Sequence, residues 1–286
     1  MTFDFSTLAD DIASTSENAN VAKTGGAGYV PPAEGVAKLR LVGYIETGKH
    51  FKAGNPAKRI PDKDTDNVVL IFELSGSKWE PKVLEDGTKI PQRISVKLAK
   101  SLNEKATYFK LFKRMNYEGK ATHFAQLIGQ PFLGTVSHFK PAVKEGEEPL
   151  IIAGFRDSDG NLTIRPPRID VMDEESGEVT TKTVMVPPAI SEHRLFVWNY
   201  KPEGMAQMWE SIFIPQGDAI PEDGKEVRSR NVYQDAIKAA VNFEGSPVQQ
   251  FLLSAGIDMG IPAATKTPPP PAKAAADAAA LDEMGL

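Results

Sequence analysis

The sequence predicts a mainly β, α+β protein built on a Greek-key β-barrel with added helices and hairpins. Residues 36–46 alternate in polarity, with Leu39, Leu41 and Ile45 on one face and Lys38, Arg40 and Tyr44 on the other. The elements then run strand, strand, strand, helix, strand, strand, which is the order of a five-stranded Greek key. Gly43 interrupts the first strand, where a small barrel needs a bulge or bend to turn a corner.

Each element follows from local pattern. Gly48 to Asp66 reads as a loop carrying Lys49, His50, Phe51, Lys52, Lys58, Arg59 and Lys63. A second strand is expected at 67–74 and a third at 93–98, separated by a charged stretch with the turn signal Asp86-Gly87. Between Asn103 and Tyr117 the period changes. Tyr108, Leu111, Phe112 and Met115 stand at i, i+3, i+4 and i+7, the spacing of an amphipathic helix. A short helix over 124–128 ends at Gly129, and 131–139 returns to strand. Residues 140–190 are acidic and turn-rich, with hairpins expected at Asp157-Ser158-Asp159-Gly160 and at Asp173–Gly177. A strand at 194–200 and helices at 207–214, 233–240 and 248–254 complete the domain, the last capped by Ser246-Pro247. The domain therefore spans 36–261, with an acidic lobe at about 144–190 and C-terminal helices at about 205–255. Residues 1–35 and 262–286 are rich in Gly, Pro, Ala and polar residues and hold too little apolar content to fold alone.

Charge divides the chain. Lys38 to Val143 holds nineteen Lys and Arg against ten Asp and Glu, whereas Lys144 to Ile261 holds eleven against twenty. The net charge of −5 thus hides a basic block, interleaved with Tyr44, Phe51, Phe72, Trp79 and Tyr108. Phosphates demand cations and every base offers a π-face, so this mixture suits sequence-tolerant binding of single-stranded nucleic acid. The absence of Cys excludes disulfides, thiol catalysis and Cys-ligated zinc, and fits a reducing cytoplasm. No apolar run approaches the roughly 18 residues of a membrane helix, and no signal peptide is visible, so no membrane partner is expected.

Enzyme signatures are missing from the sequence. There is no phosphate-binding loop, no dinucleotide fingerprint and no nucleophile elbow. His50, His123, His138 and His193 lack the i, i+4 pairing of a helical zinc site. Asp170, Asp173, Glu174, Glu175 and Glu178 crowd a hairpin tip, and the 157–168 segment lacks the closing Glu of a calcium loop, with Arg168 in its place. No catalytic residue, metal or cofactor is expected.

The element order, with its bent first strand, matches an OB-type barrel, which binds single strands across its second and third strands. That face would draw on Lys38, Arg40, Tyr44, Lys49, Phe51, Lys52, Lys58, Arg59, Trp79, Lys82, Arg93 and Lys97, with Tyr44 and Trp79 as stacking platforms. Phe72, in an apolar strand, and the rings of the 105–117 helix belong to the core.

The tail adds a second pointer. The Pro-rich spacer 265–273 and the tip Asp282-Glu283-Met284-Gly285-Leu286 resemble the C-terminal tails of bacterial and bacteriophage single-stranded-DNA-binding proteins. The tip departs from the strongest forms in having two adjacent acids only and a final Leu instead of an aromatic ring. The stretches Leu195–Tyr200, Met208–Ile214 and Asn242–Pro247 are similar to the closing part of tailed-bacteriophage proteins of that replication class. The resemblance covers about 36–255. It implies non-catalytic coating of single-stranded DNA during phage replication or recombination, in the host cytoplasm. It also implies recruitment of replication or recombination proteins through Asp282, Glu283, Met284 and Leu286. A homo-oligomer is compatible with this composition. A virion or scaffold component, or a metal-dependent nucleic-acid enzyme using the 157–178 carboxylates, are the alternatives.

Truncation before Pro262 removes residues that cannot order themselves and an acidic tip that competes for the basic block. The truncated protein should melt at the same temperature and bind dT oligomers more tightly, most visibly at low salt. Weaker binding on truncation would make the tail part of the binding surface.

Overall fold

The computed structural model describes residues 30–54, 61–140, 150–172, 177–214, 218–219 and 228–257. It is mainly β. The strands are β1 (Gly35–Lys52), β2 (Lys63–Ser75), β3 (Lys82–Val83), β4 (Lys89–Ile90), β5 (Arg93–Ala99), β6 (Pro131–Phe139) and β7 (Ile152–Gly154). They continue with β8 (Arg168–Met172), β9 (Val179–Thr183), β10 (Arg194–Phe196), β11 (Asp218–Ala219) and β12 (Arg228–Ser229). The helices are α1 (Thr107–Met115), α2 (Pro202–Ser211), α3 (Val232–Lys238) and α4 (Pro247–Ser254), with a 3₁₀ turn at Phe124–Leu127. None of these helices is long and apolar enough to cross a membrane.

A six-stranded sheet organises the molecule. Its order is β5-β2-β1-β6-β7, antiparallel throughout, and β10 pairs parallel with β1 at Gly43–Ile45. The expected barrel closure is not seen. Among the described residues no ladder joins β5 to β7, and the sheet stays open. With three residues, β7 is too short to carry the sheet round. The apolar face that a barrel would enclose is covered instead by α1 and the 3₁₀ turn.

β1 is buried on both faces along its middle because it serves two cores. Ala37, Leu39, Leu41 and Tyr44 join Leu70, Phe72, Val96 and Leu98 in the first core, under Tyr108, Leu111 and Met115 of α1 and Phe124 of the 3₁₀ turn. Val42 and Ile45 join Val69 and Ile71 in the second, against Phe196, Trp198 and the inward residues of α2, α3 and α4. Full burial of each of these side chains contributes about 1.5–3 kcal/mol. Phe155, Leu162 and Ile164 also lie in the first core. The β8–β9 hairpin stands largely exposed.

Two bulges set the parity of β1. Leu41 pairs with Phe72 and Gly43 with Ile71, so Val42 is an extra residue; Glu46 pairs with Val68 and Gly48 with Asn67, so Thr47 is another. Each inserted residue inverts which side chains face inward. Simple alternation sends Tyr44 outward with Lys38 and Arg40. The bulge at Val42 turns it into the first core, where it is 0% exposed. The expected stacking role of Tyr44 is thereby corrected.

Gly48 shows how tight the second bend is. It sits at φ +84°, and a Cβ there would lie 2.5 Å from the Trp198 ring and 2.7 Å from Ala240 Cβ. Gly87, at φ +83°, has nothing within 4 Å. Gly48→Ala should therefore lose about 3 kcal/mol in urea unfolding, and Gly87→Ala about 1 kcal/mol, the left-handed conformation alone. Equal losses would show that the close approach of Trp198 carries no cost.

Candidate nucleic-acid interface

Where β1 passes between the two cores, one carboxylate gathers five elements. Glu46, 4% exposed, accepts hydrogen bonds from Lys100 Nζ at 2.6 Å, the Tyr44 hydroxyl at 2.8 Å and the Trp198 backbone N–H at 2.9 Å. The Tyr44 and Tyr108 hydroxyls lie 3.1 Å apart. His123 Nδ1 accepts from the Ala125 N–H, which leaves the ring proton on Nε2, 3.7 Å from Glu46. Burial pushes the Glu46 carboxyl up, but the bonds from His123, Lys100 and Trp198 outweigh it and hold the group down at about 2. Burial, reinforced by the adjacent Glu46 charge, pushes the Tyr44 phenol well above its usual range. Glu46, Tyr44 and Tyr108 are buried, while Lys100 and His123 keep 36% and 37% of their side chains exposed, and every member has a partner.

The residues expected to touch nucleic acid divide into several groups. Arg40 is committed to structure: its guanidinium donates to the carbonyls of Pro187 (2.8 Å), Gly129 (2.6 Å) and Val186 (2.6 Å). Its cross-strand neighbour Glu73 accepts from the N–H groups of Ile190 and Ser191. Together they pin the 186–191 segment over this part of the sheet, so Arg40 cannot serve phosphates. Trp79, 4% exposed, is also corrected: its indole N–H donates to the Ala33 carbonyl at 3.0 Å and its ring packs over Gly35 and Gly76. Lys38 is half-buried beside that covered region. Lys82 is exposed on the small β3–β4 hairpin, which shares no ladder with the main sheet. Lys58, Arg59 and the tail residues Asp282, Glu283, Met284 and Leu286 lie outside the described residues.

Arg93 and Lys97 are brought together on one surface. On β5, Ile94, Val96 and Leu98 point into the first core, and Arg93, Ser95 and Lys97 alternate outward. The ladder sets Lys97 opposite Val69, and Ala99 opposite Asn67. Beyond the second bulge the β1–β2 ribbon continues this face through Thr65 with His50 and Lys63 with Lys52. Burial lowers the His50 pKa, the Thr47 carbonyl opposes that shift, and the Lys97 charge lowers it further, so the two side chains share one field. Lys49 and Phe51 project from the other side of the ribbon, with Phe51 60% exposed.

At its Arg93 end this row opens into a cleft of about 720 Å³. Ile71, Ser95 and Arg194 come from the sheet, the last from β10; Glu192 precedes β10, Glu210 lies on α2, Phe213 follows it and Tyr233 lies on α3. Arg194 donates to the Ile212 carbonyl at 3.2 Å and lies 6.0 Å from the centre of the Tyr233 ring. Its outward position follows from the parallel pairing of β10 with β1.

Sequence reasoning missed His50 and Lys63 as members of the face, and also Ser95 and the cleft residues. Ser95 was available from the alternation of β5. Lys63 follows the unbroken alternation of β2 but falls in the stretch expected as a loop; His50 shares its face through the register that the Thr47 bulge sets in β1. Arg194 and Tyr233 reach the site only through the second core, about a hundred residues downstream, and carry no local signal. Among the described residues, no three His, Asp or Glu side chains gather as a metal site. Asp157 caps its own turn through the N–H groups of Asp159 and Asn161, and Asp170 accepts from the Thr181 hydroxyl.

The Glu46 carboxyl has a folded pKa below its ordinary 4.5, so its contribution is complete above that pH and fades as the pH falls toward 2. The contribution is on the order of 3 kcal/mol. Glu46→Gln should unfold at lower urea than the wild type at neutral pH, and the gap should narrow as the pH falls below 4.5. A gap that does not change with pH would show that the carboxylate charge is not what holds the cluster.

Comparison with protein-family models, with characterised proteins and with solved structures finds no match to this chain.

Proposed function

We propose that this chain is a bacteriophage single-stranded-DNA-binding protein, sequence-tolerant and non-catalytic, acting in DNA replication or recombination in the host cytoplasm. The observation that carries the reading is the outward row of Arg93, Ser95 and Lys97 on β5, continued by His50, Lys52 and Lys63 on the β1–β2 ribbon. From Arg93 to Lys97 the row spans about 13 Å of strand, enough to follow a phosphate backbone and not only a single phosphate. The exposed Phe51 ring lies on the opposite side of the ribbon from the row, so it would meet a base only where a strand turns round the ribbon's end.

The strand order supports an OB-type reading of the sheet. β1, β2 and β5 form a meander, β6 returns beside β1, and β7 pairs with β6. Cα atoms of β5 and β7 come within 8 Å, as the closing edges of a partly open barrel would. Recruitment of replication or recombination partners belongs, on this reading, to the C-terminal tail.

A virion or scaffold role is the second reading, favoured by the apolar side chains along the projecting β8–β9 hairpin and beyond it: Val179, Met172 and Met185 are 56%, 65% and 85% exposed.

Titration of dT oligomers across a salt series separates the two. Binding through the row should give log affinity falling linearly with log salt, with a slope of about −0.7 per phosphate neutralised. Arg93→Ala with Lys97→Ala should weaken binding and flatten that slope while leaving the melting temperature unchanged. An affinity indifferent to salt, or to this double substitution, would overturn the proposed interface.

A further inference from the structure

The cleft at the end of the row is built for more than phosphate. Its volume of about 720 Å³ is that of a small-ligand site. It carries three kinds of group at once. Arg93 supplies a cation continuous with the row. Tyr233, held against Arg194, and Phe213, 47% exposed, supply rings at its edge. Glu192 and Glu210 supply two carboxylates which, among the described residues, make no hydrogen bond or close ion pair through their side chains, the Glu192 charge acting on Arg194 at longer range.

A track for phosphates alone gains nothing from carboxylates, which repel the backbone. A splayed base, by contrast, needs a ring to stack on and partners for its Watson–Crick edge. Carboxylate oxygens only accept hydrogen bonds, so they select an edge that donates. Guanine presents N1–H and N2–H₂ side by side, matching two acceptor oxygens. Cytosine presents one amino group. Thymine flanks its single N–H with two carbonyl oxygens, which a carboxylate repels.

We infer that the cleft is a base-reading subsite at one end of the strand track, taking a guanine whose N–H edge meets Glu192 and Glu210 while the adjoining phosphate meets Arg93. The inference deepens the proposed single-strand function and rests on it. A protein tolerant of sequence along most of its track would thus be selective at one position.

The experiment is fluorescence anisotropy with dT oligomers carrying dG, dC or dT at one central position. A dG should tighten binding about tenfold over dT, with dC between them. Glu192→Gln combined with Glu210→Gln should bring the dG-to-dT ratio close to one, and Tyr233→Leu should reduce it. Both acids are exposed, and circular dichroism verifies the fold of each variant. Equal affinity for dG and dT in the wild type overturns the subsite and leaves the single-strand function standing. A preference that survives the double substitution overturns the cleft as its source. Displacement of the oligomer by an equal concentration of free GMP would assign the cleft to mononucleotides and overturn strand reading. Failure to bind any oligomer removes the single-strand function itself, and the subsite with it.

Discussion

β1 must keep its backbone hydrogen-bonded on both edges while both of its faces are buried. On one edge β2 runs alongside nearly its whole length; on the other, β6 pairs with Gly35–Arg40 and β10 with Gly43–Ile45. A straight strand could not hand one edge from an antiparallel partner to a parallel one without leaving unpaired groups in the interior. The extra residue at Val42 makes that handover and twists the strand between its two partners. From it follow the division of the apolar residues into two cores, the inward turn of Tyr44 and the placement of β10.

The Glu46 cluster stands where the two cores meet. Such a group is costly to bury unpaired, and here it receives bonds from the end of β5 through Lys100, from β1 through Tyr44 and from the chain after β10 through Trp198. It is a directional tie in a region otherwise held by non-directional apolar contact. A shift of the C-terminal layer against the sheet would leave a buried charge with fewer partners, so the cluster fixes where that layer sits. The same placement decides where the cleft opens, since Glu210, Phe213 and Tyr233 belong to that layer.

The course of the chain over the sheet explains why basic residues of one face end in different settings. Arg40 and Arg93 both belong to the outward parity of their strands, but the 186–191 segment crosses β1 and its Val186 and Pro187 carbonyls, with that of Gly129, hold the Arg40 guanidinium. β5 lies at the end of the sheet path, and Arg93 and Lys97 stay exposed on it even though Ile190 and Ser191 bond to Glu73, the cross-strand neighbour of Arg93. The side chains share a sign and a face, and their position across the sheet separates their roles.

By itself the sequence determined the order of the main strands and helices, though not that β1 and β2 run on into the expected 48–66 loop, the concentration of positive charge between Lys38 and Val143, and the alternation of β5, which is why Arg93 and Lys97 were legible as surface cations. Those features depend on neighbours a few residues apart. The tertiary structure alone decided the fates of Tyr44, Trp79 and Arg40, left the sheet open, and assembled the cleft. A single inserted residue inverts the parity of everything beyond it, and alternation read along the chain does not register the insertion. Whether an outward side chain stays outward depends on what the chain lays over it later. For Arg40 that cover comes from residues almost 150 positions away, and no local pattern encodes it.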